Sequence, residues 1–95
     1  ERPDTDAVLC SLDIIACGAL RALWEHQIPI PGQISVIGCD NTTISQIYTP
    51  RLSTLDTVLI DCSVTIAHKL IDCLEGRGTN KQTILLTNLI ERETS

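Results

Sequence analysis

The residues best suited to chemistry are a carboxylate and an amide that directly follow a short β-branched run. Residues 34–39 read Ile-Ser-Val-Ile-Gly-Cys, and Asp40 and Asn41 come next. Such a run is typical of a buried parallel strand, and ligands of open α/β sheets bind beyond the carboxyl ends of the strands. An ionised Asp40 accepts hydrogen bonds from ligand hydroxyl or amine groups, and Asn41 donates and accepts. The alternative for both residues is a structural role in a turn.

Motifs for catalysis, metals or cofactors are missing from the sequence. His26 falls near a predicted helix end and His68 inside a predicted helix, and neither stands beside a plausible nucleophile. The five glycines form neither a G-x-G-x-x-G fingerprint nor a P-loop. The five cysteines contain no C-x-x-C pair, so zinc-type spacing is also missing. We therefore predict no enzyme, no metal site and no cofactor.

Composition limits the partners that these residues contact directly. The net charge is −5, whereas nucleic-acid binding calls for a basic surface. No apolar run has the length of a transmembrane helix. We therefore expect contact with neither DNA nor a membrane. All five cysteines lie in apolar periodic segments, which indicates buried, reduced thiols and a cytoplasmic location.

The elements that must position Asp40 follow from apolar periodicity and turn residues. The predicted elements are a strand at 6–11, a helix capped by Asp13 and reaching about 27, a strand at 34–39, a helical turn at 41–45, a strand at 52–55, a helix at about 59–75, and a strand at 82–90. The polar tail from Glu91 is expected to fray. The first strand, helix and strand form a βαβ unit with parallel strands.

These elements predict an α/β fold that is part of a doubly wound parallel sheet. Two long helices are too few to cover both faces of such a sheet. The sequence also begins without a methionine. We therefore expect a truncated piece of a larger core.

The first predicted helix carries two apolar faces. Leu20 and Leu23 lie on one face at helical spacing, and Cys17 and Trp24 lie on the other with Arg21 among them. A helix with two apolar faces is buried twice, once against its own sheet and once against something else. For Trp24, core packing and a subunit interface both remain open.

The order of these segments resembles the effector-binding core of the lactose/galactose repressor family of bacterial transcriptional regulators. The stretches that carry the resemblance are 6–11, 16–23, 31–41, 48–55, 70–76 and 87–93, and they span essentially the whole chain. The resemblance implies a type I periplasmic-binding-protein-like fold, in which two α/β lobes close on a small ligand. It also implies that DNA is bound only through an N-terminal helix-turn-helix that this chain does not contain.

The same resemblance implies how the chain is divided. Residues 1–95 would be a C-terminal fragment of the core, with about 1–54 in the C-terminal lobe. The helix at about 58–76 would cross to the N-terminal lobe, and the strand at about 82–91 would return. The segments 55–58 and 76–81 would then lie at the hinge.

The resemblance also implies roles for individual residues. The candidate effector contacts are Asp40, Asn41, Asp13 and Thr57. The candidate residues of a homodimer interface are Cys17, Arg21, Trp24 and Tyr48. The effector that the resemblance implies is a sugar or a related metabolite. Many family members have asparagine at the position of Leu12 and glutamine at that of Thr57, and these departures from the usual sugar site allow a less polar or differently shaped effector.

Together these observations predict the effector-binding and dimerisation portion of a DNA-binding regulator. The alternative is a solute-binding transport protein of the same fold, which would carry a signal peptide and act as a monomer. The interface-like helix face and the five unpaired cysteines favour the regulator. A third hypothesis, an unrelated flavodoxin-like or enzyme fragment, lacks a cofactor loop or catalytic residues to support it.

Overall fold

The computed structural model describes residues 4–78 and 81–95. The elements are β1 (Ala7–Leu9), α1 (Asp13–Glu25), β2 (Ser35–Cys39), α2 (Thr43–Ile47), β3 (Ser53–Asp56), α3 (Leu59–Leu74) and β4 (Asn88–Ile90). The predicted hinge segment 76–81 includes residues 79 and 80, which lie outside the described residues. The predicted order of strands and helices is confirmed.

The four strands form one sheet in the order β1-β2-β3-β4. β1 pairs with β2 and β2 with β3 in parallel, so the predicted βαβ unit and its parallel sheet are confirmed. β4 differs, because it runs antiparallel to β3. It is also shorter than the predicted strand, since β3 offers partners only from Thr54 to Asp56. Residues 81–87 have no strand structure and are exposed.

The core lies between α1 and the sheet. Ala16 and Leu20 of α1 pack with Val36 of β2 and Leu52, which precedes β3, and all four are almost fully buried. The sequence placed Cys17 with Trp24 on one helix face. The structure instead buries Cys17 to 5% exposure and leaves Trp24 73% exposed.

Gly38 permits the close approach of α1 to β2. A side-chain Cβ at this position would lie 2.9 Å from Leu52 Cδ2 and 3.1 Å from the Asp13 Cα, and closer still to Asp13 Oδ1. Such distances are shorter than carbon atoms tolerate without displacement. The glycine therefore brings the first turn of α1 beside the carboxyl end of β2, where the candidate site lies.

The tail after β4 is anchored, so the prediction that it frays is wrong. Thr94 is fully buried. The Val36 amide donates to the Thr94 carbonyl oxygen at 2.8 Å, and Thr94 Oγ1 donates to the Val36 carbonyl oxygen at 2.6 Å. β3 begins opposite Ile37, which leaves these backbone groups of Val36 without a partner on that strand. The tail supplies the missing partner.

α3 makes no extensive contact with the other described elements. Its exposed large apolar side chains are Val64, Ile66, Leu70, Ile71 and Leu74. The radius of gyration is 17.4 Å, whereas a compact chain of this length has about 12 Å. The molecule thus consists of a packed sheet with a helix extending away from it. Within the part of the chain that the structure describes, no helix combines the length and hydropathy needed to cross a bilayer.

Candidate functional site

The carboxyl ends of β2 and β3 bring three of the predicted effector contacts together. Asp40 follows β2 directly, and its amide donates to the Leu55 carbonyl oxygen at 2.8 Å. Thr57 follows β3, and its hydroxyl donates to Asp40 Oδ1 at 3.3 Å. The Asn41 side chain donates through Nδ2 to Asp56 Oδ2 at 3.3 Å. Asp40, Asn41 and Thr57 therefore form a polar edge at the carboxyl ends of the strands, where ligands of open α/β sheets bind.

The turn at Asp40 and Asn41 has an unusual backbone. Its φ angles are 94° at Asp40 and 48° at Asn41, in the left-handed region that residues with a Cβ rarely adopt and that aspartate and asparagine tolerate better than most. Strain of this kind persists where the surroundings determine the conformation, and it clusters at ligand sites. Here the Asn41 amide donates to Thr54 Oγ1 at 3.2 Å, and the Thr42 amide donates to Asp13 Oδ2 at 2.7 Å.

Asp13 supports this turn from below. Its side chain is 1% exposed. Oδ1 accepts the Thr54 hydroxyl at 2.6 Å, and Oδ2 accepts the amide and hydroxyl of Thr42 at 2.7 Å each. The predicted helix cap is wrong, because Leu12 is the N-cap residue and no side chain caps the helix. An effector would have to displace these donors to reach Asp13, so the carboxylate supports the turn in this structure, and its effector contact stays a prediction.

Asn41 uses most of its hydrogen-bonding capacity inside the protein. Its Oδ1 accepts Arg92 Nη2 at 2.8 Å. The Ser45 hydroxyl, whose hydrogen goes to the Thr42 carbonyl oxygen at 2.7 Å, lies 3.4 Å from the same Oδ1. One Nδ2 hydrogen goes to Asp56. Because a primary amide has two acceptor positions and two hydrogens, at most one N–H of this side chain is left for an effector.

Asp40 keeps one carboxylate oxygen available. Oδ1 accepts the Thr57 hydroxyl and, at 3.7 Å, the Cys39 thiol. Within residues 4–78 and 81–95, no donor contacts Oδ2. Burial raises the pKa of the Cys39 thiol, and the neighbouring Asp40 charge raises it further. The thiol therefore stays protonated and donates to the carboxylate, while Oδ2 is left as an acceptor for a ligand.

Sequence reasoning missed several residues of this edge. Asp56 could have been found, because it follows a predicted strand just as Asp40 does. Thr42 and Thr54 carry no distinguishing signal in the sequence. Arg92 lies in the tail, 51 residues from the Asn41 that it contacts, and no local pattern links the two.

A second feature is a groove that holds three of the four predicted interface residues. Arg21, Trp24 and Tyr48 line a cavity of about 700 Å³ between the C-terminal half of α1 and the segment 48–50. The Tyr48 hydroxyl donates to the Cys17 carbonyl oxygen at 3.4 Å. The Cys17 side chain itself is buried in the core and does not line the groove, which differs from its predicted place on an exposed interface. Arg21 forms an exposed ion pair with Glu25 at 2.7 Å.

A metal site is not indicated by the geometry. Among the described residues, no group of three or more histidine, cysteine, aspartate or glutamate side chains is arranged to hold a metal ion.

Comparison with known proteins agrees with this architecture. All of residues 1–95 match the periplasmic binding protein-like domain. The probable HTH-type transcriptional repressor ExuR of Bacillus subtilis (strain 168) is 40% identical over 79 residues, which are 83% of this chain and 24% of ExuR. The HTH-type transcriptional repressor PurR of Erwinia tasmaniensis is 37% identical over 87 residues, 90% of this chain and 26% of PurR.

Solved structures show the same fold. The Lac repressor bound to ONPG superimposes with a TM-score of 0.87 at 30% identity, over 95% of this chain and 27% of that one. These relatives are transcriptional regulators, and the chain spans about a quarter of the length of the curated ones. The chain belongs to the periplasmic binding protein-like domain family, in the form found in the lactose/galactose repressor family of transcriptional regulators.

Proposed function

We propose that this chain is the effector-binding and dimerisation portion of a bacterial DNA-binding transcriptional regulator. The observation that carries the proposal is the Asp40 carboxylate, held by a strained turn at the carboxyl edge of the sheet with Oδ2 available. The relatives with the same fold are regulators, and none of those compared above is a transport protein. We therefore prefer a regulator to a solute-binding transport protein.

The proposed effector is a small molecule that offers hydroxyl groups, such as a sugar or a related metabolite. Asp40 Oδ2 would accept one of these hydroxyls, and a charge-assisted bond of this kind is the stronger type. Asn41 would donate its remaining N–H, and Thr57 would lie beside the contact. Leu12, 43% exposed, would give an apolar wall next to them. A cellobiose complex of the regulator CelR, similar to this chain at 28% identity with a TM-score of 0.84 over 98% of this chain and 29% of CelR, supports the sugar class.

The proposed partners follow from the remaining surfaces. A second copy would cover the groove lined by Arg21, Trp24 and Tyr48. DNA would be bound only by a helix-turn-helix outside these residues, since the net charge of −5 is unsuited to it. All five cysteines are free, which supports a reducing cytoplasm. The prediction that all five are buried is wrong, because Cys39 and Cys62 are half-buried and Cys73 is exposed.

We propose the division into lobes that the family resemblance implies. Residues to about 54 would form one lobe, the helix at about 58–76 would cross to the other, and about 82–91 would return. The exposed apolar side chains of α3 support this division, because a helix with such a face is normally buried.

The proposed function is tested by removing the negative charge of Asp40. We expect Asp40→Asn in the parent protein to weaken effector binding about tenfold, since a hydrogen bond to a charged group contributes about 1.5–3 kcal/mol and one to a neutral group only about 0.5–1.5 kcal/mol. Binding is measured by isothermal titration calorimetry, after a thermal-shift screen of mono- and disaccharides that includes cellobiose.

The matched control is Asp6→Asn. It makes the same chemical change at an exposed residue just before β1, on the opposite edge of the sheet. Affinity should stay at the level of the unmodified protein. Equal affinity in the Asp40→Asn and Asp6→Asn proteins would sink the assignment of Asp40.

A further inference from the structure

The guanidinium of Arg92 is directed into the protein beside the candidate site. Nη1 donates to Ser45 Oγ at 3.0 Å and to the Leu52 carbonyl oxygen at 2.8 Å. Nη2 donates to Asn41 Oδ1 at 2.8 Å. Three of the five N–H donors of the side chain thus bind groups of this chain. The planar fork bridges α2, the start of β3 and the turn that follows β2.

The Arg92 guanidinium contacts the candidate site through the Asn41 side chain. Its Oδ1 faces Arg92, and its Nδ2 holds Asp56, whose other oxygen accepts the Val58 amide at 2.9 Å. The Asn41 backbone has φ 48° and Asp40 has φ 94°. A side chain fixed at both ends opposes relaxation of this strained pair.

We propose that Arg92 is a positioning residue for the Asp40–Asn41 turn, acting through the Asn41 side chain and not by touching the effector. The inference rests on the proposed function, since it gives Arg92 the task of presenting Asp40 Oδ2 to a ligand. Arginine suits this task and lysine does not. Only a guanidinium offers separate, rigidly spaced donors to Leu52, Ser45 and Asn41 at once.

Amide hydrogen exchange of the intact parent protein, without effector, tests the proposal. The amides of Asn41 and Thr42 donate to Thr54 Oγ1 and Asp13 Oδ2, so their exchange reports opening of the turn. We expect Arg92→Lys to accelerate both about tenfold, which corresponds to about 1.4 kcal/mol. The control is Arg51→Lys, whose guanidinium binds Glu93 in the same tail at 3.0 Å. It should change these rates less than twofold.

A second background separates positioning from general support of the tail. Asn41→Gly removes the side chain and tolerates the positive φ. If Arg92 acts through Asn41, adding Arg92→Lys to this variant should change the exchange of Thr42 less than twofold further. A tenfold acceleration that persists in the Asn41→Gly background would overturn the proposal, as would unchanged exchange in Arg92→Lys alone.

If the Arg92→Lys variant is not folded, as shown by the loss of a cooperative unfolding transition, the proposal is tested on the unmodified protein instead. By NMR, the Arg92 Nη protons should then be protected from exchange with water and show nuclear Overhauser contacts to the Asn41 side chain. An Arg92 guanidinium that exchanges as freely as an exposed arginine would refute the proposal. Neither measurement needs an effector, so a negative result bears on Arg92 alone, and effector binding is judged separately by the Asp40→Asn titration.

Discussion

Gly38 fixes how closely α1 lies on the sheet, and hence where Asp13 meets the turn. We expect Gly38→Ala to destabilise the protein by about 1–3 kcal/mol, the usual cost of overpacking a well-packed core. The added methyl group would meet Leu52 Cδ2 at 2.9 Å and the Asp13 backbone at 3.1 Å. Urea unfolding followed by circular dichroism measures the difference.

Gly18→Ala is the matched control for this substitution. Gly18 lies within α1, and a Cβ there would have nothing within 4 Å. Stability should stay the same or rise by about 0.5–1 kcal/mol, because alanine is the better helix former. If the two substitutions change the stability by the same amount, the close approach of α1 to β2 does not require a glycine at position 38.

At the scale of elements, the tail completes the sheet. Thr94 Oγ1 accepts the Ser53 amide at 2.9 Å and donates to the Val36 carbonyl oxygen at 2.6 Å. We expect Thr94→Val to cost about 1–3 kcal/mol, since the shape is kept and a buried donor and acceptor lose their partner. Thermal and urea unfolding give the value.

Thr87→Val serves as the comparison for the tail. Thr87 is exposed and directly precedes β4, so the same change should alter stability by less than about 0.5 kcal/mol. A Thr94→Val protein as stable as the Thr87→Val protein would mean that the Thr94 hydroxyl does not hold β2 and β3 together.

The elements also show what could be predicted from sequence. α1 and β2 could be predicted because their apolar periodicity is local, and Asp40 because it directly follows a strand. Thr94 and Arg92 could not, since each is polar and its position depends on partners more than 35 residues away. Likewise, the role of Asp13 depends on Thr42 and Thr54 meeting it in space.

At the scale of the whole molecule, two of the exposed apolar surfaces within residues 4–78 and 81–95 bear on the proposed assembly. One is α3, which extends from the packed sheet and supports the proposed division into lobes. The other is the groove at Trp24, for which we propose a second copy of the chain. A homodimer interface is self-complementary, so one patch serves both subunits.

We expect Trp24→Glu in the parent protein to weaken dimerisation at least tenfold. Trp24 is 73% exposed beside the groove. Tryptophan is enriched among the residues that anchor interfaces, and truncation of such a residue costs about 2 kcal/mol or more of binding free energy. Sedimentation velocity over a range of concentrations measures the effect. Gln33→Glu, which adds the same charge at an exposed loop residue, should leave dimerisation intact. A Trp24→Glu protein that dimerises normally would contradict the proposed interface.

The pairing of Val36 with Thr94 has a consequence for how the protein is made. The two residues are 58 positions apart, so a chain emerging from the ribosome exposes β2 for the time that those positions take to be translated. At about 5–20 residues per second, this lasts for several seconds. During that interval the edge of β2 beside Val36 can pair with other nascent chains. Messages truncated before the codon for Thr94 would yield chains that keep this vulnerability.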